Sequence, residues 1–259
     1  MKLIRKSLLT AIFSLTLLTQ SFAWGAMGHY IIGKMAEWQM KPKTVKKVEA
    51  VLNNESISGV GVWMDNIRSD KNYDYTNTWH WVTTVDGTYD KALQEEAGDA
   101  YEAFLRIKEA LKKGGLDPKT ERDQLRMLIH ILGDLHQPFH VGKPGDRGGN
   151  DVKVKFFNRD TNIHAVWDTD MVENKKMGFS DYAAELQKRL TKESIKNYKN
   201  SSPSDWLVEA VKLRPAMYDI PEDGKMGYEY LYKYTHLVEE RLTAAGVRLA
   251  QVLEEIYGK

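Results

Sequence analysis

The stretch His130-Ile-Leu-Gly-Asp134-Leu-His136-Gln-Pro-Phe-His140 constrains this chain more than any other. His130 and Asp134 are four residues apart, which on a helix puts both side chains on one face, one turn apart. Pro138 cannot continue the helix, because its ring removes a backbone donor and clashes with the preceding turn. His140 therefore leaves on a turn and can point back at the same pocket. The spacing recurs at His164 and Asp168, in Asn-Ile-His-Ala-Val-Trp-Asp. Imidazole nitrogens with carboxylates in this arrangement suit zinc. One such pair arises by chance on many helix faces. Two pairs and a further histidine, in a chain with seven histidines, form a much stronger pattern.

The chain has no cysteine. That excludes a thiolate zinc site, a thiol nucleophile, an iron–sulfur cluster and disulfide support, and leaves packing and metal to stabilise the fold. Residues 1–23 read as a secretory signal peptide. Lys2, Arg5 and Lys6 form a basic start, Ser7 to Leu18 is a short apolar run, and Ser21-Phe22-Ala23 resembles a cleavage site. The expected mature chain is 24–259, secreted or periplasmic, with no membrane association. Its length suits one domain with a sizeable core. Without the three leader bases it has 34 bases against 36 acids, a net charge of −2 with histidine neutral. No global basic excess holds nucleic acid, so an anionic substrate requires a local positive site.

The periodicity is mostly helical. Ile31, Ile32, Met35 and Trp38 share a face, 42–52 follow with Pro42 in the first turn, and 53–61 read as a polar loop. Residues 62–68 form a short helix and 70–78 a loop. Trp79-His80-Trp81-Val-Thr-Thr-Val is extended, with His80 facing away from both tryptophans. Helices are predicted over 90–113, 119–136, 180–192, 203–217 and 226–257, the last broken at Ala244-Ala245-Gly246. Residues 142–150 form a glycine-rich loop, and 151–157 alternate as a strand. The fold class is all-α, one mostly helical domain with a minor short β-hairpin.

The candidate metal ligands are His29, Asp65, His80, His130, Asp134, His140, His164 and Asp168. If the leader is removed after Ala23, Trp24 joins them, since a free α-amino group and its own carbonyl can chelate. At this point the chain resembles the S1/P1 nuclease family. The resemblance rests on Trp24-Gly-X-X-Gly-His29, Trp-X-Asp65-X-X-Arg68, His80 between aromatics, His130-X3-Asp134-X5-His140 and His164-X3-Asp168. It implies a helical fold of the phospholipase C/P1 nuclease type. It also implies a zinc-dependent endonuclease and 3′-nucleotidase with three zinc ions per chain, acting as a monomer on single-stranded DNA and RNA.

By that resemblance Asp65, His80, His130 and Asp134 hold one zinc. Trp24, His29 and a bridging Asp134 hold another, and His140, His164 and Asp168 hold the remaining ion. Hydroxide bridging two zincs would attack phosphorus and leave 5′-phosphorylated products. Arg68 would offset charge on the phosphoryl oxygens, and Asn150 resembles a family residue that contacts phosphate. With Asp65 these complete the expected catalytic set.

Trp81 is either a core side chain or a platform on which a base stacks. The family often has an acid two positions further on, where this chain has Thr83, which leaves base preference open. His136 and His236 read as packed or surface histidines. Two other functions fit parts of the pattern. A zinc phospholipase C shares the fold and a trinuclear site, but differs in the Trp24-to-His29 gap and in ending its ligands on Glu. A non-catalytic zinc-binding protein would need neither Arg68 nor open coordination positions.

Overall fold

A computed structural model describes residues 24–259; the expected signal peptide lies outside the described residues. The fold is all-α with a few short strands. Its C-terminal helix, Tyr228–Tyr257, runs 30 residues without interruption and packs on the first helix, Ala26–Gln39. The break expected at Ala244-Ala245-Gly246 is absent, and all three residues are buried. A Cβ on Gly246 would lie 2.6 Å from Met35 Cβ. The glycine is there for close helix contact, which offsets its helix-propensity cost of about 1 kcal/mol.

The helix carrying the central motif is Pro118–Asp134. Asp117 starts it, accepting from the backbone N–H groups of Lys119 and Thr120, with Pro118 in the first turn where its missing donor costs nothing. Leu125, Leu128, Ile129 and Leu132 are buried in the core, and His130 and Asp134 are buried as well. This helix therefore carries apolar packing on one side and buried polar groups on another. It pairs with Ala100–Lys113. That partner is shorter than the 90–113 expected. Gly98 takes φ +91°, Asp99 caps the helix by accepting from Glu102 N, and only a 3-10 turn, Lys91–Leu93, precedes them.

Other boundaries move for local reasons. The polar loop at 53–61 contains a helical turn, Ile57–Val60, capped by Ser56, and 70–78 contains a 3-10 helix, Lys71–Thr76. The 180–192 helix is Phe179–Lys188, and 203–217 divides into Pro203–Lys212 and Arg214–Met217. Residues Lys192–Lys199 form a helix the sequence pattern missed; Thr191 and Ser194 close a capping box on it. Lys153–Phe156 and Arg159–Asn162 form the expected hairpin, joined in parallel by Lys225–Met226. Val82–Thr83 pairs in parallel with Val141–Gly142, which brings the Trp79-His80-Trp81 segment alongside His140. Among the described residues no helix is long and apolar enough to cross a membrane.

A buried charged cluster ties the C-terminal helix to the rest. Arg248 gives Nη1 to His136 Nε2 at 3.0 Å and both terminal nitrogens to Glu209, at 2.7 and 2.6 Å. Arg241 donates Nε to the His136 carbonyl at 3.2 Å and Nη1 to Glu209 at 2.5 Å. His136 is thus a packed structural histidine, and His236 is exposed.

Candidate metal centre

The motif residues converge from elements far apart in sequence. His130 Nε2 lies 3.0 Å from Asp134 Oδ2, its neighbour one helical turn on. His80, brought in beside the Val82–Thr83 strand, places Nδ1 3.1 Å from the same oxygen and 2.9 Å from His130 Nε2. Asp65 Oδ1, on the short Trp63–Asn66 helix, lies 3.9 Å from His80 Nδ1 and 4.0 Å from His130 Nε2. Tetrahedral ligands about 2.0–2.2 Å from zinc stand roughly 3.3–3.6 Å apart. The four donor atoms bracket that spacing.

The other oxygen of Asp134 faces different partners. Oδ1 lies 3.3 Å from His29 Nε2 and 3.8 Å from His140 Nδ1. His29 comes from the first helix and stacks on His130, ring centroids 4.1 Å apart. Donor atoms of His29, Asp65 and His130 also fall within 4.8 Å of one another, so the first two expected ligand groups interlock. Trp24 is fully buried, and Gly25 N donates to Asp168 O at 3.0 Å, which fixes the start of the described chain beside the last expected ligand. His140, His164 and Asp168 form the remaining group, with His140 Nε2 3.7 Å from Asp168 Oδ1. His164 and Asp168 sit where a short α turn passes into a π-helical segment, Val166–Asp170, a geometry common at functional sites.

Backbone carbonyls orient the rings. Nδ1 of His130 meets Gly61 O at 2.6 Å, that of His140 meets His80 O at 2.6 Å, and that of His164 meets Gly148 O at 2.7 Å. Each carbonyl draws the ring proton to Nδ1 and leaves Nε2 as the donor for a metal. Gln137, a residue type with no metal-ligand signature, is fully buried and donates Nε2 to Asp168 Oδ1 at 3.2 Å. Its place between the two motif histidines was the available signal.

The electrostatics call for a cation. Burial opposes charge on His130, yet Asp134 and Asp65 outweigh it and lift this imidazole to about 9. Burial, with His130 adding, lowers His29. Burial takes His80 down to about 4 and also lowers His140. Asp168 is raised well above the usual carboxylate range by burial, with Asp134 and Asp65 adding. Asp134 is held well below it, because His130 and His140 overcome burial. Several buried donor atoms, His29 Nε2, Asp65 Oδ1, Asp134 Oδ1 and His140 Nε2, have no hydrogen bond. Such a concentration of unsatisfied donors fits metal ligation, and metal uptake would displace the proton held at His130.

This centre opens onto a cleft of about 650 Å³ whose lining includes Arg68, Trp81, Lys143, Arg147 and Asn150. Trp81 is half-buried at the cleft, whereas Trp79 is buried. Asn150 donates to Arg147 O at 2.9 Å and lies 3.4 Å from His164 Nδ1. Arg68 adds positive potential at His80. Lys143 and Arg147 carry no site signal of their own in the sequence; both sit in the glycine-rich loop 142–150.

The helical fold and this buried His/Asp donor set fit a metal-dependent hydrolase of phosphoric esters, a class that includes nucleases and phospholipases. The family model described as S1/P1 Nuclease matches residues 24–258, and the chain belongs to that family. The chain is similar to Endonuclease 2 of Arabidopsis thaliana, 27% identical over 91% of each chain. It is 28% identical to Endonuclease 4 of the same plant, over 93% of this chain and 91% of that one. With Nuclease S1 of Aspergillus oryzae the identity is 24%, over 94% of this chain and 95% of the other.

Proposed function

We propose that this protein is a secreted or periplasmic enzyme with three zinc ions that hydrolyses single-stranded DNA and RNA to 5′-phosphorylated products and dephosphorylates 3′-nucleotides. The observation that carries this reading is Asp134, whose two oxygens face separate groups of donors, as a carboxylate bridging two ions must. Asp65, His80 and His130 would complete one site, His29 and the Trp24 amine and carbonyl the second, and His140, His164 and Asp168 the third. The nitrogen and oxygen donor set suits zinc. When bound, the ions supply Lewis acidity toward a phosphoryl oxygen and bring the pKa of a water toward neutrality.

The chain's own groups do the rest. Arg68 reaches the cleft and offers a fixed positive charge where negative charge grows on the phosphoryl oxygens. Asn150 supplies an amide donor on the same lining, and Lys143 and Arg147 draw a polyanion into a protein with no basic excess. Trp81 offers a face for an unstacked base, which a duplex does not present.

The deciding experiment counts zinc per leader-free chain and identifies the ends released from single-stranded DNA and RNA. Three zincs and 5′-phosphate ends are expected, with choline phospholipids left intact. Fewer than two zincs, or products ending in 3′-phosphate, would overturn the reading. A chain carrying an extra methionine before Trp24 should bind one zinc fewer and lose most activity; full activity would remove Trp24 from the ligand set.

A further inference from the structure

The cleft lining contains one acid among the described residues. Arg68, Lys143 and Arg147 suit an anionic substrate, but Glu95 lies in the same lining with Asn77, Trp81 and Thr83. A carboxylate there repels phosphate and weakens binding unless it meets hydrogen-bond donors. In a nucleotide those donors are the N–H groups of the base and the hydroxyls of the sugar, and the base is the part that Trp81 would hold.

Glu95 is held in register with Trp81. Trp79 Nε1 donates to Ala97 O at 2.8 Å, and Thr78 Oγ1 donates to Gly98 O at 2.6 Å. Ala100 N donates to Trp81 O at 3.0 Å, and Gly98 N closes the turn onto Glu95 O at 2.9 Å. Three hydrogen bonds therefore tie the turn that follows Glu95 to the 78–81 segment. The side chain itself is exposed, and no ion pair within the described residues neutralises it.

We propose that Glu95 reads the Watson–Crick edge of the base stacked on Trp81 and that the site favours guanine. An ionised carboxylate offers two acceptor oxygens and no donor. Guanine presents two adjacent donors on that edge, N1–H and the N2 amino group, and can be held by both oxygens. Adenine and cytosine present one amino group beside an acceptor. Uracil and thymine present a single N–H between two carbonyls. The inference rests on the nucleotide reading above.

The test is steady-state hydrolysis of the four 3′-mononucleotides by the zinc-loaded enzyme, unaltered and as Glu95→Gln. The unaltered enzyme should show its lowest KM with guanosine 3′-monophosphate. Glu95→Gln should raise that KM roughly ten-fold, a good bidentate base contact being strong enough for such discrimination. The uridine KM should hold or fall, because a repulsive charge has gone. Trp79→Phe, which keeps a ring but drops the tether to Ala97, should raise the guanosine KM by a smaller factor.

If Glu95→Gln lowers all four KM values together, Glu95 is only a repulsive charge, and if it raises them together, Glu95 meets the shared sugar; either result overturns the proposal while the nuclease stands. Four unchanged values have the same meaning. If the unaltered enzyme hydrolyses neither these nucleotides nor single strands, the functional reading falls and takes this inference with it.

Discussion

Two buried histidines on neighbouring turns, His130 and His136, have opposite fates. Both place Nδ1 against a carbonyl, Gly61 O at 2.6 Å for His130 and Leu132 O at 2.8 Å for His136, so both present Nε2 to their surroundings. His136 Nε2 accepts from Arg248, and the Arg248–Glu209–Arg241 group closes around it. His130 Nε2 faces other acceptors, Asp134 and His80, and nearby donor atoms of Asp65 and His29 have no hydrogen bond. Burial alone does not mark a functional site, since both clusters are buried. The mark is whether the protein supplies the counter-charge itself. Around His136 it does, with two arginines; around His130 it brings acceptors together and leaves the cation to come from solution.

The largest effect should come from breaking the open cluster at its shared member. Asp134→Ala removes both oxygens that face the two ligand groups. On the proposed three-zinc reading the zinc content should fall from three to one, and hydrolysis by more than ~100-fold, since losing even a supporting residue costs about 10–100-fold. Elemental analysis of the purified variant decides it; loss of a single zinc would contradict bridging.

The closed cluster should answer differently. Arg248→Ala leaves His136 Nε2 without its donor and Glu209 with Arg241 alone. Breaking a buried ion pair costs about 3–5 kcal/mol, and the low end is expected because the Glu209 side chain is 34% exposed. Denaturant unfolding should show that loss, while zinc per folded chain stays at the value of the unaltered protein. A variant that lost metal and kept its stability would undo the contrast between the clusters.

How much of this was legible in the sequence depended on distance along the chain. His130, Asp134 and His140 were readable because helical periodicity and one proline fix their relation locally. Asp65 and His80 reach the same point only through tertiary packing, and it was the family resemblance that singled them out. The carbonyls of Gly61, His80 and Gly148 that orient the rings have no side-chain signature at all. The Lys192–Lys199 helix buries no residue, so no apolar stripe announced it; only its Thr191–Ser194 cap could have. At Gly246 the local reading of glycine as a breaker lost to packing against Met35, a contact more than two hundred residues away in sequence.

The finest test of the comparison uses two buried glycines, one against a proposed ligand and one against the apolar core. A Cβ on Gly133 would lie 2.8 Å from His29 Nδ1 and 2.9 Å from its Cε1. The ring cannot simply slide away, because it stacks on His130. Gly133→Ala should therefore tilt His29 and move Nε2 relative to Asp134 Oδ1. The helix itself gains up to about 1 kcal/mol from alanine, so the metal-free protein should keep its stability. Affinity for one zinc should fall about 10–100-fold, read by titration against a competing chelator. Gly246→Ala is the matched control. Its Cβ meets Met35 Cβ, close to the backbone of the facing helix, and overpacking there should cost about 1–3 kcal/mol of stability without altering zinc affinity. If Gly133→Ala binds all its zinc as tightly as the unaltered chain, His29 is not a ligand, and its place beside Asp134 belongs with the closed, structural kind of cluster.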